Sequence, residues 1–339
     1  MTVGLKKRGF LIDMHYFRAF AILNVALIHT LRLPTGVPAE ALPYRYILLR
    51  EILFHNSTIY FIFISGFLFD YLSYRFDLKK YYKGKILNVL SPYVIISTLI
   101  FLYNSYVIGN YDLSYLYAIV HGKVEVQYWY IPFISLVFLV SPLLSKIKDN
   151  LFVPLSLICI LLPLLGTRTG TNISWGQYVF FFPIYCFGAA CSRHYDEFVA
   201  ICERYYKWFA VSAVLLSGLL AVMTLKQIRV SGYFNIESVY FMQKMMILFV
   251  TVKILQMLKQ RNFYIINLLA SYSFAIYFLH TVAFRFCSWV LLTIVPDSSQ
   301  LNWPVAAMLL AIMALALTIL LSVGCKKVLG RYSRMIIGA

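Results

Sequence analysis

Ten long apolar stretches constrain this chain more than any other feature. They lie at roughly residues 17–33, 52–72, 86–108, 128–145, 151–167, 176–193, 205–225, 239–258, 264–295 and 303–325. Because a helix needs about 20 apolar residues to cross a bilayer, they predict about ten transmembrane helices, the ninth kinked near Ser271–Ser273. Of the 339 residues, 61% are hydrophobic and 13% are charged, whereas soluble domains are about one quarter charged. The sequence predicts an all-α, polytopic membrane protein.

Basic residues alternate in number between successive connecting segments. Twenty of the thirty Lys and Arg residues, including Lys6, Lys7 and Arg8, fall on the side of the N-terminus, and eight fall on the other side. Cytoplasmic loops of membrane proteins carry this excess. Both termini are therefore predicted to be cytoplasmic (N-in/C-in), and the net charge of +17 indicates a lipid bilayer as partner, with no nucleic acid. No connecting segment is long enough for a separate domain, so residues 1–339 are interpreted as one integral-membrane domain.

Arg18 and His29 in the first stretch, FRAFAILNVALIHT, are the first candidates for chemistry, because ionisable side chains inside a membrane are costly. Eleven helical steps turn through about 1100°, so both side chains share one face, about 16 Å apart along the axis. A membrane-surface anchor at Arg18 and an interfacial histidine at His29 are equally compatible with this spacing.

A pair of small residues and a basic run follow. Ser65–Gly66 in IYFIFISGFLF permits close helix packing, which is the favoured interpretation of the pair taken alone. The run RFDLKKYYKGKILNVLSPY has the composition of an ordinary cytoplasmic loop. Its cations, Lys83 and Lys85 among them, also suit the phosphates of a nucleotide-like carrier such as coenzyme A.

Aromatic and histidine residues mark two later stretches. Trp129 in VQYWYIPF is typical of an aromatic belt at the membrane surface. In SYSFAIYFLHT, Ser273, Tyr277 and His280 are spaced by four and three residues and share a helical face. An interhelical hydrogen-bond network is the simplest explanation of that face.

Acidic residues are rare inside the apolar stretches. Only Asp70 lies clearly within one, whereas proton- or sodium-coupled transporters usually keep carboxylates near the membrane midplane. The six cysteines and the histidines show no spacing typical of metal ligands. These observations disfavour coupled transport and predict no metal site.

In their order along the chain, these motifs resemble the acyltransferase 3 family of integral-membrane acyltransferases. The resemblance rests on Arg18 and His29 with ten residues between them, FISGFL, the basic run ending in SPY, YWYI and SYSFAIYFLH, and it covers nearly the whole chain. It implies transfer of an acyl group, commonly acetyl, from cytoplasmic acyl-coenzyme A to a hydroxyl of an extracytoplasmic glycan or a polyprenyl-linked sugar. Acetyl-coenzyme A is then a co-substrate, no permanently bound cofactor is expected, and the location is the cytoplasmic (inner) membrane.

The resemblance also implies roles for individual residues. His29 matches the family's catalytic histidine and Arg18 its paired arginine, and we interpret the two as the catalytic pair. The other matching positions, interpreted as substrate- or donor-binding, are Ser65, Gly66, Lys85, Trp129 and His280.

The chemistry of ester formation from a thioester points to two residues that the preceding list does not contain, Tyr277 and Lys83. The reaction needs a base for the acceptor hydroxyl, and neutral His29 is the expected base. The oxyanion needs hydrogen-bond donors, for which the candidates are Tyr277, Trp129 or a backbone amide near Ser65–Gly66. Arg18, Lys83 and Lys85 are the candidates for the donor phosphates. Because Arg18 and His29 are about 16 Å apart, the pantetheine arm must thread into the bundle or the acyl group must pass through a covalent relay.

Two positions depart from the family pattern. His15 stands where the family has Asp three residues before the arginine, and Asn88 stands where a second basic residue is common. Three alternatives stay open at this stage: succinyl transfer in partnership with a glycan synthase, export of a polysaccharide or lipid, and a non-catalytic role beside such a synthase.

Overall fold

The computed structural model describes residues 9–73, 76–109, 113–166, 173–226 and 235–339, and within them the chain is helical and contains no strand. The helices are α1 (Ile12–Thr30), α2 (Tyr44–Phe54), α3 (Thr58–Leu72), α4 (Leu78–Lys85), α5 (Ser91–Tyr103), α6 (Tyr115–Val120), α7 (Tyr130–Leu144), α8 (Asp149–Cys159), α9 (Leu162–Leu165), α10 (Trp175–Arg193), α11 (Tyr195–Leu225), α12 (Ile236–Leu258), α13 (Tyr264–Ser271), α14 (Ser273–Ile294), α15 (Trp303–Leu329) and α16 (Ser333–Ile336). Two π-helical turns, Ile86–Leu90 and Asn104–Ile108, follow α4 and α5.

Each of the ten apolar stretches overlaps one or more of these helices. In the described ranges, six helical segments are long and apolar enough to cross a membrane, so the protein is a multi-pass helical membrane protein. The count of ten spans and the orientation stay predictions. Six basic residues that contribute to the predicted charge bias lie outside the described residues, namely Lys6, Lys7, Arg8, Arg75, Arg168 and Arg229.

The structure adds detail to two local interpretations of the sequence. The second stretch, predicted as one span over 52–72, lies in one candidate span, Tyr44–Leu72. That span contains a break between α2 and α3, where Asn56 adopts a left-handed backbone with φ of 59°. Polar residues interrupt the apolar pattern there, and Asn tolerates this conformation better than most residues. The basic run interpreted as a loop forms α4, because the Asp77 side chain accepts a hydrogen bond from the backbone N–H of Lys80 (2.9 Å) and caps the helix.

Helix α1 is the centre of the bundle. It packs against α3, α12, α13, α14 and α15, and its Tyr16 and Phe17 side chains are fully buried. The kink expected in the ninth stretch is a break at Tyr272 between α13 and α14, both of which contact α1. Side chains on α1 therefore face the interior of the protein over much of its length.

A reciprocal pair of glycines brings α3 and α10 into backbone contact. A Cβ placed on Gly66 would lie 1.9 Å from the carbonyl oxygen of Tyr185, and one on Gly188 would lie 2.2 Å from that of Phe63. Only glycine fits at such a distance, and small residues at helix crossings are a common source of packing energy in membranes. The crossing therefore explains why glycine occupies both positions.

An arginine ties four helices together at one end of the bundle. The Arg193 guanidinium on α10 binds Asp70 of α3 at 3.0 Å and Asp149 of α8 at 2.8 Å, and it donates to the carbonyl of Leu144 at the end of α7. Arg193 and Asp70 side chains are each only 8% exposed. Because a buried charge without a partner is costly, this network fixes the register of the four helices at that end.

We expect Gly66→Ala to destabilise the protein by about 1–3 kcal/mol, the usual cost of overpacking a close contact. The measurement is the thermal unfolding midpoint of the purified protein in detergent. Gly218→Ala on α11 is the matched control, because a Cβ there meets nothing within 4 Å and alanine favours helix. Equal midpoints for the two variants would contradict the close backbone contact at Gly66.

Candidate functional site

A cavity of about 190 Å³ opens near the C-terminal end of α1. The break between α2 and α3, the segment before α7, and α14 complete its wall. The lining residues are Val25, Ile28, His29, Phe54, His55, Asn56, Ser57, Thr58, Phe61, Val126, Gln127, Trp129, Tyr130 and Tyr277. Three residues singled out from the sequence, His29, Trp129 and Tyr277, therefore surround one space.

His29 faces a second histidine across the α1–α14 contact. The ring centroids of His29 and His280 are 5.6 Å apart. His280 is fully buried, and its Nδ1 contacts the backbone carbonyl of Ile276 at 2.8 Å. Because a carbonyl only accepts, Nδ1 carries the proton. Nε2 is the other ring nitrogen, and it has no hydrogen-bond partner among the described residues.

The two aromatic candidates form the wall beside this pair. Tyr277 is buried, and its hydroxyl donates to the backbone carbonyl of Gln127 at 2.6 Å. Trp129 is only 3% exposed and stacks on Phe181 with centroids 5.4 Å apart. The surface-belt interpretation of Trp129 was therefore wrong, because the indole packs between α7 and α10 and lines the cavity.

Ser65 and Gly66 lie behind the cavity wall. The Ser65 hydroxyl donates to the carbonyl of Phe61 at 2.7 Å and contacts the Tyr130 hydroxyl at 3.2 Å. Neither Ser65 nor Gly66 lines the cavity, and their backbone amides are inside α3. The packing interpretation of the pair accounts for Gly66, while Tyr130, the partner of Ser65, is a lining residue of the cavity.

The opposite wall contains a charged cluster that the sequence reasoning missed. His55 contacts Glu51 through Nδ1 at 3.1 Å and Glu237 through Nε2 at 3.2 Å. Glu237 also accepts a hydrogen bond from the Asn56 side chain. Glu51 and His55 are four residues apart, a spacing that signals a helical pair, but Glu237 lies 182 residues away and no local pattern points to it.

A buried lysine supports this wall. The Lys244 side chain is fully buried in α12, and its ammonium donates to the carbonyls of Ile52 and Leu53, both at 2.9 Å. These carbonyls belong to the last turn of α2, where helical carbonyls have no partner within the helix. Gln243 adds a bond to the carbonyl of Ile52 at 3.1 Å. Lys244 thus holds the α2–α3 break in place.

Charged residues also lie close to the cavity, in the segment before α7 and on α14. Glu125, two residues before the cavity-lining Gln127, pairs with Arg285 of α14. Burial raises the pKa of the Glu125 carboxyl above its usual range, although the positive charge of Arg285 opposes this shift. The Arg32 guanidinium, just beyond α1, lies 5.6 Å from the ring centroid of Phe284. These two arginines place positive charge beside the His29 end of the bundle.

Arg18 lies on the same helix as His29 but outside the cavity. Its guanidinium donates to the Ser273 hydroxyl at 2.8 Å, and it has no carboxylate partner within the described residues. Asp13, the acidic residue of the same helix, is instead buried and accepts hydrogen bonds from Gln256 (2.7 Å) and Tyr195. The Arg18 charge is therefore available to an anion from outside the chain.

The two lysines of the basic run differ in environment. The Lys85 ammonium lies 3.6 Å from the ring centroid of Phe138 and 5.3 Å from that of Tyr81, and it makes no hydrogen bond or ion pair in the part of the chain that the structure describes. Lys83 is exposed. Neither lysine lines the cavity.

Aromatic rings separate the two groups of candidates. Phe61 packs on Phe274 at 6.2 Å and on Tyr277 at 6.3 Å. Phe274 adjoins Ser273, the partner of Arg18, whereas Phe61 and Tyr277 line the cavity. The structure thus brings His29, His280, Trp129 and Tyr277 together and leaves Arg18, Lys83 and Lys85 apart from them.

Comparison with known proteins gives one match. A family model described as an acyltransferase domain matches residues 11–323. No curated protein and no solved structure matches the chain significantly.

We expect Lys244→Met to lower stability, because it leaves the Leu53 carbonyl without its donor and the Ile52 carbonyl with Gln243 alone. An unsatisfied carbonyl of this kind costs about 1–3 kcal/mol. Lys253→Met on the same helix is the control, since Lys253 forms an ion pair with the half-exposed Glu203 and surface pairs contribute about 0–1 kcal/mol. Thermal unfolding in detergent distinguishes them, and equal midpoints would refute the supporting role of Lys244.

Proposed function

The chain belongs to the acyltransferase 3 family, and from this premise we propose that it transfers an acyl group, most simply acetyl, from acyl-coenzyme A to a hydroxyl of an extracytoplasmic or lipid-linked glycan. The observation that carries the proposal is the cavity that His29 shares with polar and aromatic side chains, close to the second histidine His280. Family membership supports a membrane acyltransferase, and the cavity supports the choice of His29 as its reactive group.

The proposal places both termini in the cytoplasm, with about ten spans in one integral-membrane domain of the cytoplasmic membrane. The charge bias of the loops supports this orientation. Arg18 then lies at the cytoplasmic end of α1, where the coenzyme A donor is found. His29 lies about 16 Å further along the axis, near the side where an extracytoplasmic glycan is reached.

In the proposed reaction, the His29 ring accepts the proton of the acceptor hydroxyl while the oxygen attacks the thioester carbonyl. The tetrahedral intermediate expels the thiolate of coenzyme A, which takes up that proton and leaves as the thiol. One ester bond forms and one thioester bond breaks, so no oxidant, metal or further co-reactant is needed. General-base catalysis of this kind contributes about 10²–10⁴-fold.

The surrounding residues fit supporting roles in this step. His280 lies beside His29, and its Nε2 has no hydrogen-bond partner among the residues that the structure describes, which suits it to orient the His29 ring or accept its proton. Trp129 and Tyr130 both line the cavity, and their indole N–H and hydroxyl are the proposed oxyanion donors. The Tyr130 hydroxyl would have to leave its contact with Ser65 to act in this way. Tyr277 already donates to a backbone carbonyl, so it shapes the wall and would have to release that bond to act as a donor.

The size of the cavity favours a short acyl group. At about 190 Å³ it is smaller than the roughly 300–1,000 Å³ of pockets for drug-sized ligands. Such a space admits an acetyl or succinyl group and the reacting edge of one sugar. The polar break between α2 and α3 and the Trp129 ring then supply the hydrogen-bonding and stacking surfaces that a sugar needs.

The donor must reach His29 from the Arg18 end. Arg18 and the basic helix α4, with Lys83 and Lys85, are proposed to hold its phosphates. The pantetheine arm then extends along α1 and displaces the ring of Phe274, which packs on Phe61 between the two ends. Export without acyl transfer is the alternative that the following experiment separates from this proposal.

We expect membranes containing the protein to transfer label from radiolabelled acetyl-coenzyme A into glycolipid. The His29→Ala variant, at matched protein level, should lose about 10²–10⁴-fold of this activity. His121→Ala is the control, because His121 lines a separate surface pocket and should retain full activity.

The other results of this assay are equally decisive. Full transfer by a folded His29→Ala variant would exclude the general-base role. Label in neither membrane would exclude acetyl-coenzyme A as donor and direct the assay to succinyl-coenzyme A. Substrate movement without consumption of either donor would identify an exporter.

We expect Arg18→Lys to raise the apparent KM for the donor about tenfold, equivalent to roughly 1.4 kcal/mol. Lysine keeps the charge but loses the planar fork that binds phosphate in two places. The kcat should change less than KM, because His29 is untouched. An unchanged KM in the same label-transfer assay would remove Arg18 from the donor site.

A further inference from the structure

The chain beyond α15 folds back against the bundle. A turn at Gly330–Tyr332 leads into the short helix α16. The Ser91 hydroxyl at the start of α5 donates to the carbonyl of Met335 at 2.8 Å, and Ile337 is buried in the main core. We call residues 330–339 the C-terminal segment. It is a packed part of the structure.

This packing places the C-terminal segment beside the Arg18 contact. A Cβ on Gly338 would lie 3.2 Å from the Cβ of Phe274, and Phe274 follows Ser273, which accepts the hydrogen bond from Arg18. Arg334 is near enough for its charge to act on Arg18. The C-terminal segment therefore brings Arg334 into the same region of the protein as Arg18.

Neither guanidinium has a counterion within the described residues. Arg18 bonds only to a neutral hydroxyl, and Arg334 is exposed with no hydrogen bond or ion pair. A third cation is close by, since the Lys326 ammonium lies 5.2 Å from the ring centroid of Tyr272, the residue before Ser273. Positive charges held together without an acidic partner favour binding of an anion, and paired arginines favour phosphate.

The C-terminal segment also contacts the region that directly follows the basic helix α4. Met335 is bonded to Ser91, which follows the π-helical turn at the end of α4, and α16 packs against that turn. Lys85 is the last residue of α4. The segment therefore lies between the two basic regions that the proposed function assigns to the donor.

We propose that Arg334 completes a phosphate-binding site with Arg18, and that this site holds a phosphate group of the acyl-coenzyme A donor. The inference rests on the proposed function for the identity of the donor, and on the packing of the C-terminal segment for the site itself. Arg18, which is partly buried, faces the deeper part of the ligand, and the exposed Arg334 closes over it from the surface.

The test is the affinity of the purified full-length protein for coenzyme A, measured by calorimetry in nanodiscs of phosphatidylcholine. Arg334→Gln should raise the Kd roughly tenfold, as expected for the loss of one charge-assisted phosphate contact. Arg334→Lys should restore part of the affinity. Arg331→Gln is the matched control on the same segment, because Arg331 contacts only its neighbour Tyr332, and its Kd should equal that of the wild type.

Binding of dephosphocoenzyme A, which lacks the 3′-phosphate, shows which phosphate of the donor Arg334 contacts. If Arg334→Gln weakens coenzyme A but not dephosphocoenzyme A, the contact is to the 3′-phosphate. If it weakens both, the contact is to the diphosphate. Either result supports the site.

Three results would overturn the inference, and they differ in what they say of the proposed function. An unchanged Kd for Arg334→Gln, with label transfer intact, refutes the site and leaves the acyltransferase proposal standing. An effect of Arg334→Gln seen only when phosphatidylglycerol is added to the nanodiscs, with the Kd for coenzyme A unchanged in pure phosphatidylcholine, assigns the arginine to a lipid headgroup. No binding of coenzyme A by the wild type refutes both the site and the proposed donor.

Discussion

The candidate site depends on the hydrogen bonds that satisfy the backbone carbonyls at the end of α2. Irregular backbone persists inside a membrane protein only where its polar groups find partners or line a cavity. The α2–α3 break meets both conditions, because Lys244 bonds to two carbonyls and the residues of the break line the cavity. With this support, His55 and Asn56 are held facing α1.

The remaining architecture places the proposed donor-binding group and the proposed reactive group at two ends of one helix. The histidine pair occupies one end of the α1–α14 contact and the arginine contact the other. Both ends lie on the same helical face. The aromatic side chains of Phe61 and Phe274 lie between them. This arrangement suits a reaction whose two substrates arrive from opposite sides of a membrane.

The sequence predicted the helices well, because long apolar runs are a strong signal, and it predicted that Ser273, Tyr277 and His280 share a face. The break at Asn56 was missed because hydropathy averaged over some twenty residues hides three polar ones. The cluster at His55 was missed because Glu237 and Lys244 lie far away in the chain. Gly66 was assigned to binding, although its contact with Tyr185 accounts for it. Arg334 lies beyond the region that the family model matches, so no motif pointed to it.

The glycine crossing of α3 and α10 has a mechanical consequence. Because the backbones of α3 and α10 are in direct contact at the crossing, no side chain lies between them that could repack. The two helices therefore form a rigid wall. Phe61 belongs to that wall, whereas Phe274 stands on α14, just after the discontinuity at Tyr272. A change in the distance between the Phe61 and Phe274 rings would therefore require a movement of α14, which the break at Tyr272 separates from α13.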